Sequence, residues 1–412
     1  LKDAIMSETP PELDAISAAD RAVLERAAAA PMLDQVLAWS PVNSGSRNLS
    51  GLASMAGLLA DACASLPGTV ALLDADPVTA VAPDGRVLDI AHGQNLLVTV
   101  RPDAPLQLLF TGHMDTVFDA GSAFQSCRWL EPGVLNGPGV ADMKGGIAVM
   151  LAALHAFEGS PDRDRIGYQV VLNSDEEVGS PGSASLLARA AQGKRAALTY
   201  EPSALPDGTL AGARPGSGNF SLIVTGRSAH AGRNPRDGRN ALLAAADMAL
   251  RLAALVRPGL TVNPAKIDGG GPNNVVPDHA VLRVNMRPAT PADQADAKAA
   301  LDAIVRAVEA EHDVSIHVHG GFGRPPKPVD PQTERLLHLV RDCGRMLGQD
   351  IGWKATGGVC DGNNIAACGV PVVDTMGVRG GAIHSSDEYL IADSLAERAA
   401  LTALLLCRLH AL

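Results

Sequence analysis

The feature that most restricts what this chain can fold into is a change of rhythm along it. In its first half, short apolar runs bounded by turns alternate with longer segments that repeat apolar residues at helical spacing. Residues 96–100, 106–110 and 167–172 read as strands, and residues 18–30, 48–65, 147–157 and 183–191 as helices. Strands alternating with helices build an α/β sheet with a largely parallel core. Near Gly212 the order changes to strand (220–225), helix (240–256), two strands (260–265 and 280–287), helix (291–310) and strand (314–318). That order, β-α-β-β-α-β, is the ferredoxin-like unit. It ends at the proline-rich stretch 324–328. A helix (333–347), a glycine-rich turn, a short strand (370–374) and a last helix (394–412) follow. The expectation is an α/β catalytic domain with a mixed, mostly parallel sheet flanked by helices, made of residues 1–211 and 326–412. A smaller α+β domain over 212–325 is inserted into it.

The length of 412 residues fits two domains better than one core. The formal net charge of −11 disfavours a nucleic-acid partner, which calls for a basic surface. None of the six cysteines forms a Cys-x-x-Cys pair, so they read as free thiols of a reducing compartment, with the cytoplasm as the default. No unbroken apolar stretch has the length of a membrane span. Residues 1–5 precede Met6, which reads as the natural start, and no signal peptide follows it.

Five segments carry metal-ligand side chains at strand ends or in turns. Gly112-His113-Met114-Asp115-Thr116 follows the strand 106–110. His113 and Asp115 stand two apart, so an extended backbone turns both to one side, and Asp115 can orient the imidazole. Gly137 to Gly146 places four glycines around Asp142, where glycine permits a tight backbone. Asp175-Glu176-Glu177 stacks three acids at a strand end, which is costly unless they are solvated or met by a cation. Glu201 follows the apolar run 196–198, and His384 lies in a late glycine-rich segment. Singly, these read equally well as a polar turn, a helix-capping Asp, a solvated acidic turn, and an exposed Glu and His. Together they suit a carboxylate-rich dinuclear site at the carboxyl ends of sheet strands. Oxygen donors with imidazole suit Zn²⁺, with Co²⁺ or Mn²⁺ as alternatives.

With these segments in the same order along nearly the whole chain, the sequence resembles the M20 family of metallopeptidases. The run Thr356 to Asp361 looks most like its carboxypeptidase G2 branch. The resemblance also covers Ser228 to Gly232 and Asn274 to Pro277 of the inserted domain. It implies that Asp142 bridges two metals, that His113 and Glu201 complete one, and that Glu177 and His384 complete the other. It implies Glu176 as general base and acid, Asp115 as the orienter of His113, and a cis peptide after Asp142. It further implies a lid that forms a homodimer and sends His230 into the partner's site to stabilise the oxyanion. Asn274 and Arg287 resemble the lid residues that bind the substrate carboxylate, and Arg324 is a second candidate anion contact. No cation in residues 208–218 matches a side-chain pocket; Arg214 is only nearby.

The reading that results is a hydrolase acting on an amide beside a free carboxylate, with a small peptide as substrate. An N-acyl amino acid deacylase is the alternative within the family. A catalytically inactive binding homologue is the alternative of another class, and the retained Glu176 and ligand set oppose it.

Overall fold

The structure, a computed structural model, describes residues 16–409. The expectations for residues 1–5 and Met6, and the end of the expected C-terminal helix, lie outside the described residues.

The central sheet has six strands in the spatial order Thr69–Leu73, Asn95–Val100, Ile166–Asn173, Leu106–His113, Ala196–Thr199 and Val372–Val373. Only Asn95–Val100 runs against the others. Leu106–His113 has a parallel neighbour on each side and is buried from Leu108 onward, which is why it reads as a continuous apolar run. One face of the sheet is covered by helix Gly145–Phe157, itself enclosed by helices Ala18–Ala28, Met32–Trp39 and Asp393–Arg408. The other face carries helices Ala184–Ala191 and Asp361–Ala366. The run Val140–Phe157 is apolar and long enough to cross a bilayer, but 94% of it is buried inside the protein. Its apolarity all round is that of a core helix.

A separate four-stranded antiparallel sheet has the order Leu260–Gly269, His279–Pro288, Ser217–Thr225 and Ser315–Arg324. Helices Ala241–Ala253 and Pro291–His312 pack on it around a core of their own, with Leu222, Met248, Leu282 and Leu301 fully buried. The second helix starts where it should. The Thr290 hydroxyl accepts the Asp293 N–H, and Pro291 supplies a fixed φ where no N–H is needed. The chain enters and leaves this lid region side by side. Arg214 and Lys327 exchange two main-chain hydrogen bonds, both 2.9 Å.

Several elements have no counterpart in the sequence reading. The hairpin Val78–Val81 and Val87–Ile90 is short and half exposed, with Val81 its one buried residue. It reaches across to the lid, where Thr79 Oγ1 lies 3.0 Å from His319 Nε2 and Arg283 Nη2 donates to the Val81 carbonyl at 2.8 Å. The expected glycine-rich turn contains the helix Asp361–Ala366. Six residues with a Gly and two Asn have no intrinsic drive to be helical. Tertiary bonds hold them, the Asn363 amide donating to the carbonyls of Pro215 and Pro325 at 2.9 and 2.8 Å.

Candidate metal centre

Three parallel neighbours of the central sheet end on one edge, and each delivers a ligand-type side chain there. His113 closes strand Leu106–His113, Glu176 and Glu177 follow Ile166–Asn173, and Glu201 follows Ala196–Thr199. Asp142 comes from the irregular turn Val140–Lys144 ahead of the core helix, and its peptide bond to Met143 is cis. The close fit of this turn depends on glycine. A Cβ at Gly146 would stand 1.9 Å from the Tyr200 carbonyl oxygen, next to Glu201.

Two triads result, His113 with Asp142 and Glu201, and Asp142 with Glu177 and His384. Asp142 belongs to both and divides its carboxylate between them. Oδ1 is 3.1 Å from His113 Nε2, and Oδ2 is 3.3 Å from His384 Nε2. Glu201 Oε2 lies 3.7 Å from His113 Nε2, and Glu177 Oε2 lies 3.1 Å from His384 Nε2. A carbonyl can only accept, so the 2.9 Å contact of His113 Nδ1 with the main-chain oxygen of Asp115 puts the ring proton on Nδ1. That leaves Nε2 facing Asp142 and Glu201. The orienting bond to His113 thus comes from the Asp115 backbone, with the carboxylate farther off at 3.4 Å. The carboxylate instead takes the N–H groups of Glu176 and Glu177, both at 3.1 Å, and the Ser46 hydroxyl at 2.7 Å. It fixes the turn that presents both glutamates.

The electrostatics of the cluster show what it lacks. Burial, then the charge of Asp142, pushes Glu177 up to about 7. Burial pushes Glu176 well above its ordinary value, with Arg324 opposing the shift, and burial also raises Glu201. The hydrogen bonds that His384 donates to Asp142 and Glu177 lift it to about 11. Burial works against a charged His113, but Glu201 and the bonds to Asp115 and Asp142 outweigh it and raise its pKa well above the ordinary value. Crowded carboxylates that hold protons, beside imidazoles that hold theirs, are a site short of positive charge. Oxygen and imidazole donors, three to each triad with one carboxylate shared, fit a pair of divalent cations such as zinc.

The remaining candidates fall in different places. The cluster opens into a cavity of about 1020 Å³ between the two sheets, lined by Glu176, Glu177, His384, Arg287 and Arg324 and by the hairpin at Val78 to Val81. Arg287 is exposed there, its Nε bonded to Asn285 and Nη1 to the Gly357 carbonyl. Arg324, expected as a second anion contact, also lines the cavity but is already paired with acids of the protein. It is buried, with Nη2 2.7 Å from Glu176 Oε1 and Nη1 2.9 Å from Asp361 Oδ1. Arg214 is buried too and gripped by both oxygens of Asp374. His230 and Asn274 lie together on the lid, with the Ala231 N–H bonded to the Asn274 carbonyl, and are not among the cavity-lining residues. The structure does not bring these two to the Asp142 cluster of the same chain. His230 Nδ1 accepts the N–H groups of Gly232 and Arg233 at 3.1 and 3.2 Å, so its proton sits on Nε2 and points away from its own turn.

Sequence reasoning missed Glu388. It is fully buried, and its carboxylate accepts the N–H groups of Gly139, Ala141 and Asp142 at 3.2, 2.9 and 3.0 Å. Its only signal in the sequence is its place four residues after His384.

Comparison with known proteins agrees with this geometry. Residues 109–408 match the family described as Peptidase family M20/M25/M40. The chain is 30% identical over 334 residues to carboxypeptidase G2 of a Pseudomonas species, covering 77% of this chain and 78% of that protein. It is 26% identical to succinyl-diaminopimelate desuccinylase of Psychrobacter arcticus over 307 residues, 70% of this chain and 74% of that one. A tripeptidase from Staphylococcus aureus shares the fold, with a TM-score of 0.70 at 23% identity, covering 93% of this chain and 97% of that chain. Four ligand-type side chains gathered around one shared carboxylate, and a family match over most of the sequence, lead to one conclusion: the chain belongs to the M20/M25/M40 peptidase family and is a metal-dependent hydrolase.

Proposed function

We propose that this protein is a dinuclear, zinc-type exopeptidase that cleaves the amide bond beside a free carboxylate and releases a C-terminal amino acid. The observation that carries the reading is the division of the Asp142 carboxylate between two ligand triads, with Glu176 next in the chain to Glu177 and within the field of His113 and Glu201. His113, Asp142 and Glu201 would hold one cation, and Asp142, Glu177 and His384 the other. When bound, Zn²⁺ (or Co²⁺ or Mn²⁺) polarises the scissile carbonyl and acidifies a water molecule. Glu176 takes the proton of the attacking water and returns it to the leaving amine. Arg287 lines the cavity with Nε and Nη1 engaged by Asn285 and Gly357, and its Nη2 side grips the substrate carboxylate, a planar cation matched to a planar anion.

His230 and Asn274 act in the site of a second copy in a lid-mediated homodimer, where the Nε2–H of His230 donates to the developing oxyanion. Their position outside their own chain's cavity supports that arrangement, as does the donor left on Nε2. The likeness to carboxypeptidase G2 supports the exopeptidase reading. The likeness to a desuccinylase keeps an N-acyl amino acid deacylase as the second reading. Six cysteines without a disulfide support a cytoplasmic setting.

The test is a panel of short peptides and N-acyl amino acids, each paired with its C-terminal amide, run with metal analysis. Hydrolysis of the free acids that stops on chelation and returns with Zn²⁺ or Co²⁺ is expected. Equal hydrolysis of the amides would remove the carboxylate requirement, and the panel's ranking separates peptidase from deacylase.

A further inference from the structure

The segment that carries His384 is the least supported part of the metal cluster. His384 is half exposed, and it and Ala382 both adopt left-handed backbone, φ 63° and 52°. Side chains other than glycine rarely sit there unless their surroundings impose it. Within the segment, the Ser385 hydroxyl donates to the Ala382 carbonyl at 2.7 Å. What ties it to the rest of the site comes just after, at Glu388.

That carboxylate is buried and points at the turn bearing Asp142. Oε1 accepts the N–H groups of Ala141 and Asp142, and Oε2 that of Gly139. Asn136, from the strand that leads into the same turn, reaches back and donates its amide to the carbonyls of Ser386 and Glu388 at 3.0 and 2.7 Å. Five side-chain hydrogen bonds, next to the antiparallel pairing of Tyr389–Ile391 with Val134–Asn136, therefore join the stretch after His384 to the stretch around Asp142. Among the described residues, no comparable tie links that stretch to His113 or Glu201, which stand on sheet strands or next to them.

We propose that Glu388 is a positioning residue that sets the spacing of His384 from Asp142, and so governs one cation of the pair selectively. The proposal rests on the two-metal reading above. A carboxylate is required because both of its oxygens face N–H donors. An amide in its place would turn an NH₂ group toward one of those donors, leaving a buried N–H unpaired.

The test compares wild type, Glu388→Gln and His384→Ala by metal content after dialysis and by calorimetric titration with Zn²⁺, with thermal unfolding of each as a check. Two equivalents in wild type are expected. Glu388→Gln is expected to hold one equivalent with unchanged affinity and the other about 10–100-fold more weakly, the usual effect of removing an outer partner of a ligand. His384→Ala marks which equivalent that is. Two equivalents of unaltered affinity in Glu388→Gln would overturn the proposal, as would equal weakening of both. Fewer than two equivalents in wild type would instead overturn the reading beneath it. If Glu388→Gln does not fold, Glu388→Asp gives the same measurement, since it keeps both acceptor oxygens but draws them back by one methylene.

Discussion

Two buried acidic clusters in this protein meet burial in opposite ways. Asp142 is held below its ordinary value, against burial, by His113 and His384, but around it the carboxylates of Glu176, Glu177 and Glu201 are driven toward the protonated form. Around Asp374, burial pushes in the same direction but loses, and the acid is held below its ordinary value. The difference is the source of positive charge. Arg214 Nε stands 2.7 Å and Lys327 Nζ 3.1 Å from Asp374 Oδ2. Those two residues are also the paired crossings into and out of the lid. The hinge cluster is neutralised by the chain itself, so it reads as structure. The Asp142 cluster leaves room for charge from outside, so it reads as function.

The sharpest way to break this contrast is at the base. Glu176→Gln removes a proton acceptor while nearly keeping its shape. Turnover is expected to fall about 10²–10⁴-fold, the typical share of general acid–base catalysis. Metal content measured on the same preparation should stay at the wild-type level, and undiminished kcat would strip Glu176 of its role.

At the hinge the large effect should be on stability. Asp374→Ala leaves Arg214 and Lys327 buried without their anion, and breaking a buried pair from one side costs about 3–5 kcal/mol. Chemical denaturation should show that loss, while the folded fraction keeps its metal. A variant that shed metal at unchanged stability would mean the two clusters are not separate.

Acidity distinguishes the clusters by sign. In chelated protein, Glu177 is raised to about 7 from an unfolded value of about 4.3. An acid with a raised folded pKa favours the protonated fold, so stability drains away as pH rises between those values. His384 acts in the same direction. Its stabilisation is complete below an unfolded value of about 6.5 and is lost as pH climbs toward about 11. Asp374 runs the other way. Its contribution is present above about 3.9 and is lost as pH falls through its depressed folded value. Melting temperature followed from pH 5 to 9 should therefore fall for the chelated enzyme and stay flatter with excess Zn²⁺. A metal-induced shift that shrank with rising pH would contradict the assignment.

How much of this could be read beforehand follows the same physics. His113, Asp142, Glu177, Glu201 and His384 stood out because each polar turn interrupts or ends an apolar run, and the structure brings all five together. The parallel core was legible because strands buried on both faces leave continuous apolar stretches. Arg324 was not legible as the partner of Glu176, since nothing in a local sequence says that a residue at the end of a lid strand will meet one from 148 positions earlier. Glu388 was hidden for a related reason: its partners are main-chain N–H groups, which leave no mark in a sequence. The hairpin Val78–Val81 and Val87–Ile90 escaped because its strands are short and half exposed, so they carry little burial pattern to read.

That hairpin allows the smallest test of the contrast, because two of the lid's ties to the rest of the chain differ in character. The hinge tie through Asp374 is buried and ionic. The hairpin tie, Thr79 Oγ1 to His319 Nε2 at 3.0 Å, is exposed and rests on a hydroxyl. A hydrogen bond of this kind contributes about 0.5–1.5 kcal/mol at most, because water replaces it readily. Thr79→Val keeps the branched shape and removes the hydroxyl, so unfolding should shift by less than about 1 kcal/mol, far below the hinge variant. Because Thr79 lines the cavity beside lid residues, any kinetic change should fall on KM, with kcat and metal content preserved. A loss of stability as large as that of Asp374→Ala would mean that the lid is anchored at the hairpin as firmly as at its hinge.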